Sequence, residues 1–128
     1  MTQGTVGVGI DLVDVARIAG MRERYGDTFL TRTFTSDEIA YCMKYANPDP
    51  HFAARFAAKE AIVKALGTGF TGDISLQSVG VLRDESGQPF AYLDSAAKAC
   101  LAEIGASKIL ISITHLKDYA QAIAIASK

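Results

Sequence analysis

The stretch HFAARFAAKEAIVKALGTG, residues 51–69, decides the fold. Large apolar residues recur in it at helical spacing, with alanine in most of the gaps; they are Phe52, Phe56, Val63 and Leu66. The pattern predicts one long helix that lies tight against a sheet. We expect its charged residues away from the packed side; they are Arg55, Lys59, Glu60 and Lys64. Gly67 is the expected C-cap.

Glu60 and Lys64 allow two interpretations. Lys64 follows Glu60 by four residues, and an ion pair with that spacing stabilises a helix by only about 0.3–0.5 kcal/mol. Alternatively, an acid and several bases followed by a Gly-Thr-Gly turn favour a phosphate-and-metal site. The second interpretation requires another carboxylate that meets Glu60, because Mg²⁺ in phosphate sites is bound through one or two carboxylates.

The first strand offers that carboxylate. Apolar residues alternate with glycine from Val6 to Leu12, which predicts a half-buried strand with its apolar set on one face. Gly7 and Gly9 leave the opposite face smooth, and glycine in a strand often marks the close approach of another backbone or a ligand. Asp11 ends this face. A water-facing strand end and a binding site are equally good interpretations of it.

The rest of the chain predicts an antiparallel sheet around this helix, in one α+β domain over residues 1–128. Asp14 is the expected N-cap of the helix VARIAGMRERY, and Thr35 with Glu38 forms a capping box. Residues 73–93 read as two strands joined by a turn at 84–89, followed by a helix that starts at Asp94 and ends at Gly105. Lys108 to His115 and residues 120–126 read as two further strands, although the second is alanine-rich enough to be helical.

Charge and composition narrow the class of protein. The formal net charge is −1 and the pI about 6.1, which argues against nucleic acid as a partner. There is no signal peptide pattern and no apolar run long enough to cross a membrane, so we expect a soluble cytoplasmic protein. Cys42 and Cys100 have no partner at metal-ligand spacing and are expected to be reduced, buried thiols. Arg17, Arg22 and Arg24 crowd one short helix, as a solvated face or as a docking surface for an acidic protein.

Several segments, in this order, resemble the holo-acyl-carrier-protein synthases, the short bacterial type of 4′-phosphopantetheinyl transferase. They are Gly9-Ile10-Asp11-Leu12-Val13-Asp14 with Arg17-Ile18, Phe34-Thr35 before Glu38, Arg55-Phe56-Ala57-Ala58-Lys59-Glu60-Ala61, Lys64-Ala65-Leu66-Gly67-Thr68-Gly69 and Ser112-Ile113-Thr114-His115. The resemblance runs nearly end to end, and RFAAKEA followed by KALGTG is its specific part. It implies the α+β fold of that family.

The resemblance also implies a reaction. It is the transfer of 4′-phosphopantetheine from coenzyme A to a serine hydroxyl of an apo acyl carrier protein, in support of fatty acid biosynthesis, with adenosine 3′,5′-bisphosphate as the other product. By the family pattern, Asp11 and Glu60 hold Mg²⁺ on the pyrophosphate, while Lys64 binds phosphate and assists the leaving group. Other expected coenzyme A contacts are the loop Gly67, Thr68 and Gly69, and Arg55 with His115 near the 3′-phosphate.

The same resemblance implies partners. The helix after Asp14 would dock the acidic carrier protein through Arg17, Met21 and Arg24. The family is typically a homotrimer with sites at subunit interfaces, so that His115 would serve a neighbouring subunit. For the serine hydroxyl, Asp11, Glu60 and a metal-bound water are all candidate bases. The alternatives to the transferase are a non-catalytic module that binds coenzyme A or carrier protein, and an Mg²⁺-dependent nucleotide hydrolase.

Overall fold

The computed structural model describes residues 4–128. In chain order the elements are β1 (Thr5–Asp14), α1 (Val15–Tyr25), α2 (Asp27–Thr33), α3 (Ser36–Cys42), α4 (Asp49–Leu66), β2 (Val79–Arg83), β3 (Pro89–Leu93), α5 (Ser95–Glu103), β4 (Lys108–His115) and β5 (Tyr119–Ser127). All strand pairs are antiparallel: β1, β5 and β4 form one sheet with β5 in the middle, and β2 pairs with β3. The predicted α+β class is confirmed.

The helix caps follow the sequence signals. The Asp14 carboxylate accepts from the Ala16 N–H at the start of α1. The Thr35 hydroxyl and the Glu38 carboxylate make the reciprocal capping box of α3. Gly67 ends α4 with φ 77°, a left-handed conformation that costs glycine little.

Helix α4 packs directly on the glycine face of β1. Gly7 and Gly9 face the backbone carbonyls of Ala65 and Ala61, and a Cβ at either glycine would lie about 2 Å from the carbonyl oxygen. The neighbouring strand β5 presents only small side chains to the same helix; these are Ala120, Ala122, Ala124 and Ala126, each at most 1% exposed. The expectation that a backbone approaches the glycine face is therefore confirmed.

The burial of the other face of β1 differs from the simplest expectation. Val8, Ile10 and Leu12 are 56%, 53% and 61% exposed, although their alternation is typical of a core face. The physical reason is that a glycine and alanine surface lets an alanine-rich helix come closer than a surface of branched side chains would. The core therefore forms on the glycine side, and the branched residues are left outside.

Two of the charged residues of α4 are in the core, which corrects their predicted exposure. Lys59 is fully buried, and its ammonium lies 2.6 Å from the Glu38 carboxylate while donating to the carbonyls of Leu76 and Val79. Arg55 is 2% exposed. Of the four, Glu60 is half-buried and Lys64 is exposed, which agrees with the expectation that they lie away from the packed side.

Residues 73–78 form turns and irregular structure, and not the start of a strand as predicted. Ser75 and Ser78 bond to each other there, because the Ser75 N–H donates to the Ser78 hydroxyl. The strand begins only at Val79. The two cysteines also differ: Cys42 is buried, but Cys100 is only half-buried. Among the residues described, no helix has both the length and the apolar character needed to cross a membrane.

Candidate active site

Lys64, Asp11 and Glu60 come together where α4 crosses β1. The Lys64 ammonium donates to the Ile10 carbonyl at 2.9 Å and lies 3.3 Å from the Asp11 carboxylate. The ion pair of Lys64 is therefore with the strand and not, as the helical interpretation predicts, with Glu60. Asp11 shares the helix-facing side of β1 with Gly7 and Gly9, and this register brings its carboxylate to α4.

The pKa of Glu60 is affected by the nearby carboxylate of Asp11. Burial and the negative charge of Asp11 raise the pKa of the Glu60 carboxyl, while Lys64 and Arg17 act against that shift. A half-buried carboxylate whose ionisation a second carboxylate opposes fits a divalent cation. Mg²⁺ typically takes one or two carboxylates and completes its shell with water and phosphate oxygens. Within residues 4–128 no group of three or more His, Cys, Asp or Glu side chains is placed to hold a metal ion. Asp11 and Glu60 would therefore have to hold Mg²⁺ as a pair, with water and phosphate oxygens completing its shell.

The glycine loop follows α4 directly. Gly67 and Gly69 both have positive φ, 77° and 64°, and open space where a Cβ would stand. The Thr68 hydroxyl donates to the Gly69 carbonyl, and the Thr71 hydroxyl closes the turn onto the Thr68 carbonyl. The loop therefore exposes backbone to a ligand without side chains in the way.

A cationic pocket lies at another part of α4. It is a cavity of about 340 Å³ lined by Tyr41, Tyr45, His51, Arg55, Arg83, Ile113, Thr114 and His115. The predicted pair Arg55 and His115 is thus brought together. The Nε of Arg55 is buried and has no hydrogen-bond partner among residues 4–128. Two guanidinium groups and two imidazoles, with no acid among the lining residues, suit a phosphate dianion.

His51, Arg83 and the two tyrosines were not predicted as site residues. The imidazole of His51 lies 4.9 Å from that of His115 and stacks on Tyr45 at 3.6 Å, measured between ring centroids. Burial and the nearby charges of His115, Arg55 and Arg83 lower the pKa of His51. Arg83 comes from β2, and nothing in its local sequence indicates that β2 lies beside α4.

The fold gives the three arginines of α1 different contacts. Arg22 makes a two-point ion pair with Asp49 at the start of α4, with a shortest distance of 2.6 Å. Arg17 and Arg24 lie over the rings of Phe56 and Tyr25 at 5.7 and 5.9 Å. A groove of about 340 Å³ runs between α1 and α2, lined by Met21, Tyr25, Thr28, Phe29, Arg32 and Thr33.

Comparison with known proteins identifies the family to which the chain belongs. The model of the 4′-phosphopantetheinyl transferase superfamily matches residues 7–124, and the chain belongs to that class of enzyme. It is also 44% identical to the holo-[acyl-carrier-protein] synthase of Protochlamydia amoebophila over 122 residues. The alignment covers 94% of this chain and 97% of that protein. Within the superfamily it therefore belongs with the holo-[acyl-carrier-protein] synthases.

Solved structures agree with this assignment. The crystal structure of holo-[acyl-carrier-protein] synthase from Neisseria meningitidis superposes with a TM-score of 0.88 at 33% identity, covering 97% of this chain and 99% of that one. The Helicobacter pylori enzyme, solved in complex with coenzyme A, has a TM-score of 0.82 at 28% identity, with 94% and 99% covered. The predicted family and fold are confirmed.

Proposed function

We propose that this protein transfers 4′-phosphopantetheine from coenzyme A to a serine hydroxyl of an apo acyl carrier protein, in an Mg²⁺-dependent reaction. The products are the holo carrier protein and adenosine 3′,5′-bisphosphate. The observation that carries the proposal is the meeting of Asp11, Glu60 and Lys64 where α4 crosses β1. This arrangement suits a pyrophosphate, since phosphoryl transfer depends mainly on positioning and charge stabilisation.

Each member of this cluster has a proposed task. Asp11 and Glu60 would hold Mg²⁺, which neutralises pyrophosphate charge when it is bound. Lys64, whose side chain is 53% exposed, is free to direct its ammonium to a phosphate oxygen while Asp11 and the Ile10 carbonyl orient it. A cation at this point stabilises the negative charge that develops on the leaving phosphate.

The other proposed coenzyme A contacts lie towards the two ends of α4. The open backbone of Gly67, Thr68 and Gly69 would accept the close approach of the substrate. Arg55 and His115 would bind the 3′-phosphate in the cationic pocket. A buried guanidinium with an unpartnered Nε supports this role, because burial of such a charge is costly until an anion compensates it.

The surfaces of the chain support the proposed partners. Arg17, Met21 and Arg24 would dock the acidic carrier protein along α1, next to the groove that Met21 also lines. A homotrimer would cover the exposed apolar face of the sheet. The residues of this face, each more than half exposed, are Val8, Ile10, Leu12, Leu110 and Tyr119. In such an assembly His115 would contribute to a neighbour's site.

We further propose that the chain acts as one domain over residues 1–128 and works in the cytoplasm, in fatty acid biosynthesis. The decisive test is incubation with coenzyme A, MgCl₂ and an apo acyl carrier protein, followed by intact-mass spectrometry. The metal-assisted displacement adds one phosphopantetheine, roughly 340 Da, to the carrier serine and does not occur with EDTA. Binding of both substrates without a mass gain would favour the non-catalytic module instead.

A further inference from the structure

The ring of Tyr41, at the end of α3, is surrounded by cations. The guanidinium carbons of Arg55 and Arg83 lie 4.2 and 4.8 Å from its centroid, and the Lys44 ammonium lies at 5.7 Å. All three distances are within the range in which a cation is attracted to the face of an aromatic ring. Tyr41 therefore links two guanidinium groups that come from different elements, α4 and β2.

Arg55 depends on this ring more than an exposed arginine would. It is 2% exposed, and among residues 4–128 no carboxylate forms an ion pair with it. The nearby Glu38 is already occupied, since it accepts from Lys59 and from the backbone N–H groups of Thr35 and Val81. In the absence of an anion, the π face of Tyr41 is a principal stabilising contact of the buried guanidinium.

The ring of Tyr41 is itself fixed. Its hydroxyl lies 2.8 Å from that of Tyr45, and Tyr45 stacks on His51 with 14° between the rings. Helix α3, which carries Tyr41, is tied down by its capping box and by the buried pair of Glu38 and Lys59. The aromatic contacts thus run from Tyr41 through Tyr45 to His51 and His115, around the wall of the cationic pocket.

We propose that Tyr41 is a positioning residue that makes this enzyme selective for coenzyme A over 3′-dephospho-coenzyme A. The inference rests on the proposed binding of the 3′-phosphate by Arg55 and His115. The ring holds the guanidinium groups of Arg55 and Arg83 together at the pocket before the substrate arrives, against their mutual repulsion. A phosphate dianion then meets donors that need little reorganisation, and a ligand without this phosphate gains nothing from them.

The test measures the affinities for coenzyme A and for 3′-dephospho-coenzyme A by isothermal titration calorimetry. The wild-type protein is expected to prefer coenzyme A. Tyr41→Leu, which removes the ring, should lower this preference about tenfold, by weakening coenzyme A alone. Tyr41→Phe keeps the ring and should stay within about threefold of wild type. Phe90→Leu removes an exposed ring of β3, outside the pocket, and should change neither affinity.

Steady-state kinetics separate positioning from a loss of fold. Tyr41→Leu should raise the KM for coenzyme A while kcat stays near the wild-type value, and a cooperative melting transition shows that the variant is folded. Tyr41→Gln, a second variant without the ring, replaces it if the leucine variant does not fold. An unchanged preference in a folded ring-free variant overturns the role of Tyr41. Equal binding of both ligands by the wild type would instead overturn the assignment of the pocket to the 3′-phosphate.

Discussion

Gly9 of β1 and Ala61 of α4 are in backbone contact: a Cβ at Gly9 would stand 1.9 Å from the Ala61 carbonyl oxygen. It would also lie 2.8 Å from the Cβ of Lys64. This close crossing is what brings Lys64 within reach of the Ile10 carbonyl and the Asp11 carboxylate. The absence of a side chain at Gly9 is therefore part of the geometry of the candidate site.

Gly9→Ala should be strongly destabilising for this reason. The new methyl group meets backbone, which cannot rotate away, so we expect the free energy of unfolding to fall by about 3 kcal/mol or more. Gly20→Ala is the matched control, because that glycine lies inside α1 with nothing within 4 Å of its Cβ position. It should stabilise the protein by about 0.5–1 kcal/mol. Urea unfolding measures both, and a Gly9→Ala variant as stable as the wild type would contradict the packing.

Glu60→Gln should abolish transfer and leave the fold intact. The variant removes one of two proposed metal ligands, and it also removes a carboxylate whose ionisation Asp11 and burial oppose. The melting temperature at neutral pH should therefore equal or exceed that of the wild type. Glu103→Gln, at an exposed position in α5, is the control and should keep full activity. Near-normal turnover by Glu60→Gln, measured by carrier-protein mass, would overturn the proposed role of this residue.

The residues that begin and end the helices are predictable from local sequence. The Thr35–Glu38 capping box and the Gly67 C-cap depend only on neighbours within a few positions, and both form as predicted. The alternation of Val8 and Ile10 with glycine predicts a strand correctly, but a period of two does not say which face is inside. That choice depends on α4, whose backbone approaches only where side chains are absent.

Which charged residues of α4 are buried is also decided by packing between elements that are distant in sequence. Helical spacing puts Lys59 beside Glu60, yet one is fully buried and the other half-buried. The partners of Lys59 are Glu38 and the carbonyls of Leu76, just before β2, and Val79, its first residue, all distant in sequence. The spacing of apolar residues along one helix cannot reveal partners in other elements. Arg83 joins the cationic pocket through the same packing of β2 on α4, which is why it was missed as a site residue.

Lys59→Met should destabilise the protein by about 3–5 kcal/mol, because it leaves the Glu38 carboxylate buried without its cation. Adding Glu38→Gln should restore part of this loss, since glutamine removes the charge and can still accept one of the backbone N–H groups. Urea unfolding of the two single variants and the double variant gives the coupling energy. If the two effects simply add, the pair does not act as a unit.

Reversal of Arg17 and Arg24 to glutamate should weaken carrier-protein use by about tenfold or more, because both residues would then repel an acidic partner. The affinity for coenzyme A should fall less, since the only link of these two arginines to the metal site is the charge of Arg17 near Glu60. Arg22→Ala is the control on the same helix. Its partner is Asp49, so we expect a loss of stability of no more than about 1 kcal/mol and little effect on carrier-protein use. Calorimetry with each substrate decides: unchanged affinities in the double reversal would mean that another surface docks the carrier protein.

The affinity for coenzyme A should increase as the pH falls from about 8 to about 6. In the free protein, burial and the charges of His115, Arg55 and Arg83 lower the pKa of His51 below its usual value and so favour the neutral imidazole. A phosphate dianion in the same pocket favours the protonated imidazole and raises this pKa. Between the free and the bound pKa, binding takes up a proton, and lower pH therefore strengthens it.

Calorimetry in buffers of different ionisation enthalpy measures that proton uptake directly. The proton uptake should be smaller in His51→Asn than in the wild type. It should also be smaller for 3′-dephospho-coenzyme A, which lacks the phosphate that the pocket is proposed to bind. A pH dependence that is identical in His51→Asn and the wild type would show that His51 does not sense the bound anion.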